Sequence, residues 1–193
     1  NLTKIEGLHH LPHLRELLLH QNAISKIEGL DGCPRLRRLW LFANRLTRVE
    51  NLHACGDLAE LWLQENRISR VGGLDSLVHL QSLALAGNRI ADYKDLQRLA
   101  RLPCLVELSF ADIHFGPCPV AQLDGYRDSV LCALRGLRQL DGLEVSDADR
   151  AAARDAYLAK VRARERGQRE GRRQRTARRA TRADRAKGDE SEQ

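Results

Sequence analysis

One feature limits what this 193-residue chain can fold into more than any other: a period of 22 residues. Leu14, Leu36, Leu58 and Leu80 recur at that interval. Leu17, Leu39, Leu61 and Leu83 keep the same register, as do Leu19, Leu41, Leu63 and Leu85, and then Asn22, Asn44, Asn66 and Asn88. A unit this short cannot bury its own apolar face, but stacked copies bury a continuous one, so the period predicts a solenoid.

Each unit reads LxxLxLxxNxI. The two leucines of LxL, two residues apart, point to one face of a short strand, and the residue between them points to the other. An asparagine follows where the strand turns. Its amide both donates and accepts, so stacked asparagines can pair backbone groups that the coils would otherwise bury unpaired. The remainder of a unit, such as ISKIEGLDGCPRL, spaces its apolar residues about every three positions, which suits short helical turns better than a second long strand. Strands are therefore expected on the concave side and turns on the convex side.

These columns resemble the leucine-rich-repeat family, in its 22-residue subclass typified by the leucine-rich nuclear regulator of protein phosphatase 1. The resemblance covers about residues 1–145 and implies an α/β solenoid, right-handed and curved, whose parallel concave sheet binds proteins without catalysing a reaction. It also implies a closing cap. The step from Leu80 to Leu105 is 25 residues, a three-residue insertion, and Ile113 then stands where the next asparagine would be. Tyr126, Arg127, Val130, Leu131, Leu137, Leu140 and Asp141 fit the cap pattern of the subclass, with Tyr126 and Asp141 as structural residues beside Asn22, Asn44, Asn66 and Asn88. Gly116-Pro117-Cys118-Pro119 replaces the usual Asn-Pro opening of that cap. The expected organisation is repeats over 1–113, the first truncated, a cap over 114–145, and an arginine-rich tail over 146–193. Because Leu2, Ile5, Leu8 and Leu11 begin in the second half of a repeat and the chain has no methionine, the sequence is expected to be a piece of a longer protein.

Charge is partitioned between these parts. Residues 1–145 hold 17 basic and 17 acidic side chains, while 146–193 hold 15 and 9, so the tail carries the whole net charge of +6. Ser146 with Asp149 suits a helix start. Beyond Val161 no large apolar residue occurs, so that stretch is an exposed helix or is disordered until bound. Arg162, Arg166, Arg169, Arg172, Arg173, Arg175, Arg178 and Arg179 are candidates for contact with a polyanion, such as the acidic tails of tubulin. No aromatic residue interleaves them, which argues against base stacking and sequence-specific reading of nucleic acid. No apolar run approaches the ~20 residues that cross a bilayer. Cys33 and Cys55 share one repeat column and read as small buried hydrophobes, and the lack of cysteine pairs bracketing the repeats favours a reducing compartment, cytoplasmic or axonemal.

Binding is expected at the outward strand positions. The middle residue of LxL is Leu18, Trp40, Trp62, Ala84 and Ser109 in successive coils, so both tryptophans fall in one column; His20, Phe42 and Gln64 follow two positions on. Leu18, His20, Trp40, Phe42, Trp62 and Gln64 form the candidate partner-binding set. The flanking charges are mixed, Arg15, Glu16, Arg37, Arg38, Glu60, Glu65, Glu107 and Asp112, with basic residues gathered on the earlier coils and acidic ones on the later; such a gradient can orient a partner or simply form a solvated face. Catalysis has no support: seven histidines include no HExxH, there is no CxxC pair, and no nucleophile, base and orienter can be assembled. Neither a cofactor nor a metal is expected, and Cys118 between two prolines reads as an inert loop thiol. The functions carried forward are a ciliary or cytoskeletal scaffold, since capped axonemal proteins share the strand motif; a protein phosphatase 1 regulatory subunit; and a ribonucleoprotein assembly subunit, since the repeats also resemble a spliceosomal leucine-rich subunit.

Overall fold

Alternation within LxL puts one leucine pair of each coil inside, and a three-residue strand is all that each coil contributes. In the computed structural model, which describes residues 1–163 and 166, these strands are β1 (Glu16–Leu18), β2 (Arg38–Trp40), β3 (Glu60–Trp62), β4 (Ser82–Ala84) and β5 (Glu107–Ser109). They stack in parallel and in sequence order, with Leu17, Leu39, Leu61, Leu83 and Leu108 side by side. Two strands of the cap extend the sheet: β6 (Gln139–Leu140) runs parallel to β5, and β7 (Leu143–Glu144) turns back antiparallel and ends it. The leucine and isoleucine columns form one continuous buried core from Ile5 to Leu140 and Ala153.

On the convex side the first three coils return through tight turns without a regular helix. The three-residue insertion of the fourth coil is used to form α1 (Lys94–Leu99), which buries Leu96 and Leu99. In the cap, a 3-10 turn over Pro119–Gln122 precedes α2 (Tyr126–Ala133), whose Tyr126, Val130 and Leu131 close the apolar end of the stack. The chain falls into a body, residues 1–153, and a second unit from residue 154. A helix starts at 147 behind a reciprocal cap: Ser146 Oγ accepts from Asp149 N, and Asp149 Oδ2 accepts from Ser146 N. Of the second unit, residues 154–163 and 166 are helical, and Arg162 and Arg166 are exposed. Arg169, Arg172, Arg173, Arg175, Arg178 and Arg179 lie outside the described residues. Among the described residues no helix is long and apolar enough to cross a membrane.

The asparagines bind coil to coil. Asn66 Nδ2 donates to Leu63 O in its own coil and to Leu41 O in the one before, at 3.0 and 2.9 Å, and its Oδ1 accepts from Leu46 N at 2.9 Å. Asn44 and Asn88 repeat the set one coil earlier and one later. These amides are buried, so each satisfies backbone groups that water cannot reach. At the fifth coil the ladder residue is Ile113, 93% exposed, and the chain leaves the stack. Its tasks pass to others. Cys118 Sγ donates to Leu85 O at 3.1 Å, and Cys118 N donates to Phe110 O at 2.7 Å. Asp141, with φ 53°, accepts from Phe110 N and Ala111 N on one oxygen and from the Tyr126 hydroxyl on the other. Cys118 is thus a fully buried ladder residue rather than a loop thiol, and burial pushes its thiol pKa up.

Two outcomes are expected. Asn66→Ala strands two buried carbonyls and one buried N–H at once and should cost at least about 3 kcal/mol in chemical denaturation, whereas Asn22→Ala, on a half-exposed amide, should cost about 1 kcal/mol. In native protein at neutral pH, a maleimide should label Cys104 and Cys132, which are partly exposed, and should reach Cys33, Cys55 and Cys118 only on unfolding. Burial raises the Cys55 thiol to about 11, so little of the reactive thiolate exists there.

Candidate protein-docking surface on the concave sheet

Register decides what the concave face presents. Trp40 pairs with Trp62 across β2 and β3, and strands ~4.8 Å apart leave two large rings no option but to lie face to face. Their centroids are 4.4 Å apart and the planes differ by 4°. Two residues further along the strand direction, between the first and second coils, His20 stacks on Phe42 at 4.5 Å and 12°. Phe42 joins the two stacks, its centroid 6.5 Å from that of Trp62, and His20 lies 6.3 Å from Trp40. Aromatic pairs of this kind contribute ~1 kcal/mol each beyond burial, so the cluster is held in place before any partner arrives. Leu18, 49% exposed, continues the apolar surface toward the first coil, and Ala84 limits it at the fourth.

Phe115 belongs to the same cluster. It comes from the loop that replaces the fifth asparagine, and its ring packs 5.8 Å from Phe42, three coils back. To reach there, the loop crosses Gly87: Gly87 N donates to Gly116 O at 3.0 Å, and a Cβ on Gly87 would stand 2.6 Å from Phe115 O. Gln21, Ala43 and Glu65 occupy the same column at the same positive φ with side chains. Only the fourth coil requires glycine at this position, because only there does a second backbone lie on top. Sequence columns could not show Phe115, since it stands in none of them; the signal is that it is the one phenylalanine not explained by the repeat, Phe42 being outward and Phe110 core.

Three polar atoms in this cluster are buried and have no hydrogen-bond partner among the described residues: His20 Nδ1, Trp40 Nε1 and Gln64 Oε1. An unpaired buried polar group costs ~1–3 kcal/mol, and all three belong to residues of the candidate set. The charges are arranged differently from a simple gradient. Arg38 bridges Glu16 at 2.9 Å and Glu60 at 3.2 Å, so three adjacent strands share one exposed ion-pair row. Arg15 and Arg37 lie just before their strands, and Glu65 and Asp112 just after, so polarity runs along the strands as well as across the coils. Among the described residues no group of three or more histidine, cysteine or acidic side chains is placed to hold a metal.

Residues 43–168 match a leucine-rich-repeat family model, and residues 12–54 match a second model of two leucine-rich repeats. The chain belongs to the leucine-rich-repeat family. Among solved structures it is similar to the Drosophila melanogaster SNF/U2A′ complex, at 30% identity and a TM-score of 0.63, over 72% of this chain and 79% of that one. An internalin of Listeria monocytogenes, InlF, shares the fold at 22% identity and a TM-score of 0.59 over 74% of this chain. The functional domain of InlJ from the same bacterium, which includes a cysteine ladder, shares it at 16% identity and a TM-score of 0.50 over 72%. This chain spans 39% and 32% of those two internalin chains. No curated protein matches its sequence.

Gly87→Ala should move the 112–116 loop and loosen Phe115 from Phe42. The expected result is a loss of about 2 kcal/mol, from the close contact and the positive φ together, with a shift of the ring resonances of both Phe115 and Phe42.

Proposed function

We propose that this chain is a non-catalytic protein-interaction module that holds a partner segment on its concave sheet, through Leu18, His20, Trp40, Phe42, Trp62 and Gln64. The observation that carries this reading is the coincidence of stacked, partly exposed aromatics with three unpaired buried polar atoms. Apolar faces supply contact area at little entropic cost, and a partner whose docking turns the Gln64 and Trp40 side chains outward, donating to Gln64 Oε1 and accepting from Trp40 Nε1, pairs groups that are buried without a partner among the described residues. Phe115 forms a wall at one side of that floor, and Ile113 projects beside it, nearly fully exposed. The leucine-rich-repeat family supports the same conclusion, since its members bind proteins on this type of surface.

Among assemblies, a ribonucleoprotein has a specific observation in its favour, the 30% identity to a chain solved in the SNF/U2A′ complex. A ciliary or cytoskeletal scaffold and a phosphatase regulatory subunit rest on the repeat motif alone. Contact of the tail, through Arg162, Arg166 and the arginines beyond, with acidic protein surfaces such as tubulin tails is a separate proposal resting on its charge.

Photo-crosslinking from position 42 or 62 in a native extract, read by mass spectrometry, distinguishes these assemblies by what is captured. Trp40→Ala with Trp62→Ala should reduce capture at least about 100-fold, two interface tryptophans contributing ~2 kcal/mol or more each, while the circular-dichroism melt shifts by only a few degrees. Retained capture in that variant, or collapse of the melt, would show that the tryptophans serve the sheet and not a partner.

A further inference from the structure

Residues 1–145 carry no net charge, yet five of their arginines lie together on one flank. Immediately after the ladder asparagine the units read Asn44-Arg-Leu-Thr-Arg48, Asn66-Arg-Ile-Ser-Arg70 and Asn88-Arg-Ile-Ala-Asp92, so the first arginine is in all three and the second gives way to an acid in the last. Leu46, Ile68 and Ile90 are buried while Arg45, Arg67 and Arg89 are exposed, so the arginines face outward from an extended segment. Their backbones are locked coil to coil: Arg45 N donates to Ile24 O, Arg67 N to Leu46 O and Arg89 N to Ile68 O, at 2.8–2.9 Å. Stacking at this spacing sets the three arginines in a row with steps of about 5 Å. Exposed hydroxyls, Thr47 and Ser69, lie two residues on, and Arg70 follows. Arg48 is engaged by Glu50 at 3.0 Å and Lys26 by Glu28 at 3.5 Å. Among the described residues Arg45, Arg67, Arg70 and Arg89 have no ion pair and no side-chain hydrogen bond.

We infer that this flank binds the phosphodiester backbone of a nucleic acid without reading its sequence. A single row of guanidinium groups at regular spacing, interleaved with hydroxyls, offers the donors that phosphate oxygens accept, bidentate from arginine and single from serine or threonine. Among the described residues no aromatic side chain belongs to the Arg45, Arg67 and Arg89 row to stack a base, so recognition stops at the backbone. The row lies on the turns that follow the strands, outside the aromatic floor, so this site is independent of the concave docking surface and stands or falls separately from it. The arginine-rich tail adds charge in sequence, but the row is built on the rigid stack.

The test uses the full chain and a fluorescent 20-base-pair RNA duplex of arbitrary sequence, with anisotropy measured across a salt series. Arg45→Gln with Arg67→Gln and Arg89→Gln should weaken binding at least about 10-fold and flatten the dependence of log K on log salt by about 3, one unit for each phosphate no longer neutralised. Arg→Lys at the same positions, which keeps the charge, should recover most of the affinity and so excludes misfolding as the cause. Arg15→Gln with Arg37→Gln and Arg138→Gln removes equal charge at the opposite ends of the strands and should leave affinity within about threefold. Trp40→Ala with Trp62→Ala should leave it unchanged. Equal losses from both arginine triples, or no loss from either, would overturn the inference in favour of net charge or the tail. Displacement of the duplex by poly-glutamate at equal charge concentration would overturn it in favour of an acidic polypeptide.

Discussion

Everything in this molecule depends on how stacked coils pair the backbone groups they bury at each turn. A parallel sheet of three-residue strands satisfies only the middle of each coil. Where the chain bends away from the strand, carbonyls of Leu41 and Leu63 and the N–H of Leu46 face the interior, and one asparagine amide serves all three. That requirement explains why the asparagine column does not vary while the residues around it do. It also explains the cap. Where the column stops at Ile113, the same carbonyl–donor problem recurs, and a thiol, a carboxylate and a phenol from later in the chain solve it jointly.

Much of the fold was legible because a period of 22 carries its own register. Leu17, Leu39 and Leu61 had to be neighbours, Trp40 had to face Trp62, and Asn44 had to reach the coil before it; the structure shows each of these. What escaped the sequence sits where the period breaks. Cys118 read as an inert loop thiol because nothing local marks a residue five positions after a missing asparagine as its substitute. Phe115 reaches Phe42 through a loop whose path is set by Gly87, and Gly87 in isolation is only one more turn glycine. The charges in the aromatic region were readable as residues but not as pairs, since the Arg38 side chain selects Glu16 and Glu60 from several carboxylates in reach.

The period also imposes a likeness among neighbours that an ordinary globular domain avoids. A residue type repeated at one position becomes a row with steps of about 5 Å. For leucine the row is a core, for asparagine a hydrogen-bonded ladder, for tryptophan a stacked floor. Rows of charge are less comfortable, because like charges at that distance repel, and the protein alternates signs along Glu16, Arg38 and Glu60 on the concave face. The arginines after the ladder residues lack that alternation, which sets their flank apart from the rest of the body.

Proteins built from stacked units ordinarily change length by gaining or losing a unit, since each touches only its neighbours. The loop carrying Phe115 suspends that freedom for part of this molecule. It leaves the stack after the fifth strand, crosses Gly87 in the fourth coil and meets Phe42 in the second. The span works as a ruler: a coil added or removed between Phe42 and the loop would carry the two rings about 5 Å out of step and open the wall beside the tryptophans. The contact between Phe115 and Phe42 therefore fixes the number of coils from the second to the fifth, while it places no such limit on coils before the first.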